Sequence, residues 1–169
     1  MKKFVLDTSG LSKPIQDMPP HRHKRLWNCI KQSIGNGVFA TTEEVFEEEM
    51  LLLPDGIGAY MADNRSSIVL DFGDPYVNWN DYVITANEMQ ILYRESTQRT
   101  LQGRTDTVGI KDISVVALAK VLNLPLVSEA ALIHDTSQTY KRKIPNVCAE
   151  YSVKHLSFNE FIDAEDYDL

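Results

Sequence analysis

The stretch Asp112-Ile-Ser-Val-Val-Ala-Leu-Ala-Lys-Val-Leu-Asn-Leu-Pro-Leu-Val-Ser-Glu129 holds the strongest periodic signal in the chain. Ile113, Val116, Ala117, Val121 and Leu122 recur at helical spacing, which predicts a helix with one face turned to a core. Asn123 ends it, since Asn tolerates the left-handed conformation that closes many helices. Pro125-Leu126-Val127-Ser128 follows at once as a strand. A helix, a loop of two or three residues and a strand make half of a βαβ unit, so the sheet is expected to be parallel.

Upstream, Lys3-Phe4-Val5-Leu6 reads as a short buried strand that runs into the polar turn Asp7-Thr8-Ser9-Gly10. Leu26, Trp27, Ile30 and Ile34 predict a helix between Pro19-Pro20 and Gly35-Asn36-Gly37. Val38-Phe39-Ala40 is a second strand. Thr42 is a good N-cap for a helix whose glutamates, from Glu43 to Glu49, complement the positive end of its dipole. Pro54 to Asn80 carries no clear period. Asp81 to Glu95 can be helical, and Gln98 to Gly109 reads as a polar loop. Val153 to Leu156 supplies a last strand and Phe158 to Ile162 a last helix. The expected organisation is one domain over residues 1–162, an irregular or helical insertion at about 54–109, and an acidic tail over 163–169.

At 169 residues and 43% hydrophobic content the chain can bury one proper core. Cys29 and Cys148 form neither a disulfide framework nor a zinc motif, which favours a reducing, cytoplasmic setting. The apolar run at Phe4-Val5-Leu6 is far short of a signal peptide or membrane span, so no membrane association is expected. A net charge of −7 speaks against general nucleic-acid binding. A nuclease that meets phosphate through metal ions, however, needs clustered carboxylates and keeps only local basic patches. His21-Arg22-His23-Lys24-Arg25 and Lys141-Arg142-Lys143 are such patches, or else solvated faces.

The isolated acids fall at element boundaries: Asp7 after the first strand, Glu48 in the second helix, Asp112 at the start of the long helix, Glu129 after the next strand. In a parallel sheet the C-terminal strand ends share one edge, where such acids converge. Clustered carboxylates repel, and a cluster of this kind persists mainly by binding cations. Mg²⁺ or Mn²⁺ suits hard oxygen ligands, and the chemistry that follows is phosphodiester hydrolysis. Asp7, Glu48 and Asp112 are expected to hold one metal, with Glu129 orienting water or supporting a second ion. Lys111 or Lys143 is placed to meet the phosphate. Each acid also has a plainer reading: an Asx turn for Asp7, an N-cap for Asp112, a solvated glutamate run for Glu48, a strand-end cap for Glu129. Glu44 shares a helix face with Glu48 and is the other inward candidate. The chain has no GxSxG, HExxH, Walker lysine or GxGxxG.

Strand-Leu-Asp-Thr-Ser, then Thr-x-x-Val-x-x-Glu on a helix, then Lys-Asp-x-x-x-x-Ala-x-Ala leading to Leu-Val-Ser-Glu, resembles the PIN-domain superfamily. Lys143-Ile-Pro-Asn-Val-Cys148, Tyr151-Ser-Val-Lys-His-Leu156 and Glu160-Phe161 resemble one PIN-like subfamily, DUF4411. The resemblance covers the first 50 residues and roughly 110–162. It implies a three-layer α/β/α sandwich with a central parallel sheet, Mg²⁺ or Mn²⁺ on Asp7, Glu48, Asp112 and Glu129, and cleavage of RNA. Thr8 or Ser9 matches the small hydroxyl residue that often follows the first acid. It further implies a role as the toxin of a toxin–antitoxin pair resembling VapC, with an antitoxin and a second copy of the chain as partners. The last position, commonly Asp or Asn after Thr, is here Glu129 after Ser128, and Asp135 could substitute for it.

Two other classes compete. A haloacid-dehalogenase-type phosphatase would use Asp7 as nucleophile but wants a second Asp where Ser9 stands. A non-catalytic PIN-like binding module would use the glutamate run, the acidic tail and the middle segment as an interaction surface.

Overall fold

A computed structural model of the chain describes residues 1–134 and 139–167. Asp135, the substitute considered for Glu129, lies outside the described residues, as does the end of the acidic tail. Four strands form one fully parallel sheet: β1 (Phe4–Leu6), β2 (Phe39–Ala40), β3 (Leu126–Val127) and β4 (His155–Leu156), in the order β2-β1-β3-β4. With helices flanking the sheet, the architecture is the expected α/β sandwich. β1 and β3 are buried throughout, as strands covered on both faces must be.

The connections place the site. From β1 the chain passes through α1 (Ser9–Asp17) and α2 (Lys24–Gly35) to β2 on one side of β1, and it later returns to β3 on the other side. The direction of winding therefore reverses between β1 and β3. Open α/β sheets have a crevice at such a reversal, outside the C-terminal ends of the strands. Asp7 and Ser128 are the first residues beyond those two ends.

α7 (Ile110–Leu122) is the central helix, buried from Ile113 to Ala119 and packed against β1 and β3. Asn123 closes it in the left-handed conformation, φ 53° and ψ 43°, and Leu124 N–H bonds back to Ala119 O. It starts at Ile110, two residues before the expected start, because the Asp112 carboxylate reaches back to the Gly109 N–H at 2.7 Å and extends the first turn.

The middle segment is far more helical than its sequence suggests. α3 (Glu43–Glu48) and a short 3-10 turn at Met50–Leu52 lead to α4 (Ile57–Asp63), α5 (Trp79–Leu92) and α6 (Arg94–Leu101). Ile57, Met61 and Met89 join the same core as the sheet. The polar loop expected from Gln98 begins only after Leu101, since α6 continues to that residue.

Outside the middle segment, α1 and α8 (Ile144–Glu150) are helices that the residue pattern does not predict. α1 carries Pro14 in its interior, and α8 is seven residues long with Pro145 near its start. α9 (Phe158–Glu165) runs on through Asp163, so the tail expected from residue 163 begins inside a helix. Gly10 lets α1 lie against β3: a Cβ there would stand 2.9 Å from Val127 O.

Candidate functional site

Asp7 follows β1 directly, and its N–H bonds to Val127 O at 3.0 Å, which ties it to the end of β3. Its side chain is buried. Asp7 Oδ2 accepts from the Ser9 N–H at 3.0 Å and from the Ser9 hydroxyl, so the expected Asx turn is present and fixes the carboxylate. The Ser9 hydroxyl in turn accepts from the Glu129 N–H at 3.1 Å. This relay joins the ends of β1 and β3 and leaves Asp7 with one rotamer.

Asp112 sits on the first turn of α7, anchored through Oδ2 to Gly109. Burial pushes its carboxyl up to about 6, the charges of Asp7 and Glu49 add to the rise, and the Gly109 bond and Lys143 oppose it. Asp7 is likewise raised, first by burial and further by Glu49, against its bonds from Ser9. Among the described residues neither aspartate has an ion-pair partner.

The third carboxylate to approach them is Glu49, which the sequence reading passed over in favour of Glu44 and Glu48. α3 ends at Glu48, and Glu49 departs from helical geometry at φ −129° and ψ −49°. The Glu48 side chain is exposed and pairs with Lys111 Nζ at 2.8 Å, while Glu49 accepts from the same Nζ at 3.1 Å. Glu44 is exposed at the groove's rim. Glu49 lies four residues after buried Val45 and three after buried Phe46. That spacing was the available signal.

Glu129 is turned elsewhere. Its Oε1 accepts from the Phe158 N–H at 2.6 Å, the first turn of α9, so its carboxylate caps that helix and its backbone serves Ser9. Ser128 is fully buried and its hydroxyl pairs with His155 Nε2 at 2.8 Å, bracing β3 against β4. The structure thus brings Asp7, Asp112 and Glu49 together. It leaves Glu48 on the exposed lining of the same groove, paired with Lys111, and Glu129 outside the lining, turned to α9.

An open groove of about 780 Å³ lies over the two aspartates. Thr8 lines it with a buried hydroxyl that has no hydrogen-bond partner. Lys143 lines it too, its Nζ donating to Thr105 O at 2.5 Å. Among the described residues no three Asp, Glu, His or Cys side chains form a ready-made metal cage. The donor chemistry nevertheless fits a hard divalent cation: two carboxylates of like charge, Asp7 buried and Asp112 half-buried, each anchored through one oxygen, beside an unpartnered hydroxyl. Mg²⁺ is commonly held in this way, by one or two carboxylates with water completing the shell.

A family model described as a domain of unknown function, DUF4411, matches residues 4–169. The match runs through the middle segment that the resemblance to PIN domains left aside. No curated protein matches the chain.

Proposed function

We propose that the chain, which belongs to the DUF4411 family, is a metal-dependent endoribonuclease of PIN-like type that hydrolyses RNA phosphodiester bonds. The observation that carries this reading is a pair of aspartates without ion-pair partners, buried Asp7 just past the end of β1 where the sheet's winding reverses and half-buried Asp112 on the first turn of α7, both opening onto one groove. Leaving two like charges buried costs several kcal/mol in general, and a site retains such a pair for chemistry rather than for stability.

In this reading Asp7 and Asp112 hold Mg²⁺ or Mn²⁺, Ser9 fixes the rotamer of Asp7, and the first turn of α7 fixes Asp112. When bound, the ion supplies Lewis-acid stabilisation of charge on the phosphate and acidifies a water. Lys143 offers its ammonium to the phosphate from the groove wall. Lys111 holds Glu48 and Glu49 and so limits the negative charge facing the substrate. Glu129 acts through structure, by its N–H to Ser9 and its cap on α9. A haloacid-dehalogenase-type nucleophile gains no support, since Ser9 occupies the acid/base position and is committed to orienting Asp7.

The toxin role belongs to the same proposal. It calls for an antitoxin or a second copy of the chain as partner, and the exposed Val83, Ile84, Ile91 and Leu92 of α5 are apolar surface open to one. Among the described residues no helix is long and apolar enough to cross a membrane.

The test is cleavage of pooled, end-labelled cellular RNA in Mn²⁺, Mg²⁺ or EDTA, with Asp7→Asn and Asp112→Asn alongside. Metal-dependent cutting that both variants lose, by about a hundredfold or more, supports the reading. No cutting under any condition points instead to a binding module. Wild-type rates in both variants refute the site.

A further inference from the structure

The groove has two unlike sides. One is the carboxylate floor. The other comes from the end of the middle segment and the start of α7, where the end of α6, the connection after it and the first residue of α7 contribute Leu101, Arg104 and Ile110 in turn. Leu101 is 76% exposed and Ile110 41% exposed, although both are large apolar side chains beside an open cleft. Arg104 is exposed in the same lining and, among the described residues, forms no ion pair, although carboxylates line the same groove. Lys143 stands on the groove as a second cation.

Three chemistries therefore face one cavity: oxygen ligands for a cation, free positive charge, and exposed apolar surface. An occupant that satisfies all three carries an anionic group that meets Arg104 and also a flat, weakly polar face that covers Leu101 and Ile110. A nucleotide turned out of its stack has both. A paired helix presents its phosphates but keeps its base faces covered, so it cannot use the apolar wall.

Resting on the nuclease reading for the identity of the floor, we infer that Leu101, Arg104 and Ile110 form a nucleotide subsite beside the scissile bond. Arg104 holds a phosphate next to the one cleaved, and Leu101 with Ile110 covers the adjoining base. The middle segment thereby becomes the part of the chain that selects an unstacked strand, with an aliphatic platform that tolerates any base.

The test separates binding from cleavage. Affinity of the full-length Asp112→Asn protein in EDTA is measured by fluorescence anisotropy, using a short end-labelled single-stranded oligoribonucleotide and a duplex of the same sequence. Arg104→Ala is expected to weaken single-strand binding about five- to tenfold and to make the salt dependence shallower by about 0.7 in log–log slope, the value for one lost phosphate contact. Leu101→Ser is expected to weaken it about fivefold with the slope unchanged. The duplex binds about tenfold more weakly than the single strand. Lys120→Ala, in the last turn of α7 and outside the groove, leaves binding as it was.

Absence of single-strand binding overturns the subsite. So does unchanged affinity in Arg104→Ala and Leu101→Ser, or an equal effect of Lys120→Ala. If wild-type protein cleaves in Mn²⁺ and both groove variants cleave at its rate, the subsite fails and the nuclease reading stands. If binding behaves as stated and wild-type protein cleaves nothing, the subsite stands and the nuclease reading fails.

Discussion

Asp112 makes a stability claim as well as a chemical one. Its folded pKa, about 6, lies above the ordinary carboxyl value of 3.8, so between roughly pH 4 and pH 6 the folded protein binds more protons than the unfolded chain. Stability without metal therefore falls as pH rises through that window and levels off above it. A shift of about two units corresponds to roughly 3 kcal/mol at most. Asp7, raised for the same reason, pulls in the same direction. Asp112→Asn keeps an oxygen for the Gly109 N–H and removes the charge. It is expected to be more stable than wild type by about 1–3 kcal/mol at pH 7 in EDTA, by urea denaturation, with the gain fading toward pH 4. A variant less stable than wild type at pH 7 would mean that Asp112 is primarily a helix cap. Asp7 and Asp112 were legible in the sequence because a strand or helix boundary marks each of them. Glu49 was hidden because six-residue α3 stops before a full inward face is established, and Glu49 stands just past its end at φ −129° and ψ −49°, inside a run of glutamates that reads as solvated.

At the scale of elements, the close approach of α1 to β3 sets the distance between Asp7 and the end of β3. Gly10→Ala places a methyl group 2.9 Å from the Val127 carbonyl oxygen, a backbone atom that cannot step aside. The gain in helix propensity, about 1 kcal/mol, is outweighed by overpacking. A net loss of about 1–3 kcal/mol is expected from thermal or urea melts, and an unchanged midpoint would show that α1 moves freely against the sheet. α7 and β3 could be read directly, since thirteen residues of helix and its closing Asn give both period and end. α1 could not. Pro14 lacks an N–H and argues against a helix, yet in nine residues it costs few bonds, and burial of Leu11 and Ile15 holds the element. The middle segment stayed opaque for a related reason: α4 and α6 are short, and α5 has little amphipathic contrast, with Val83, Ile84, Ile91 and Leu92 exposed while Ala86 and Met89 are buried.

The whole molecule closes through contacts between distant parts of the chain. Phe161 of α9 is fully buried, with its ring 5.2 Å from that of Phe4 on β1 and 5.2 Å from that of Phe39 on β2. Phe161→Ala is expected to cost about 3–5 kcal/mol, a large share of a typical domain's 5–15 kcal/mol, as measured by denaturant unfolding. A loss below about 1 kcal/mol would show that α9 is peripheral. The same helix, capped by Ser157, also gives its first N–H, that of Phe158, to the Glu129 carboxylate, and the Glu129 N–H supports Ser9 and, through it, Asp7. Those links give synthesis an order. A ribosome that has delivered Asp7 and Asp112 has not yet delivered the helix that seals the sheet beneath them, so the partial chain lacks a settled candidate site while it is still attached to its own messenger. In the nuclease proposed above, the site would ripen only after translation has passed residue 161, which would shield the transcript and the translating machinery from the product being made.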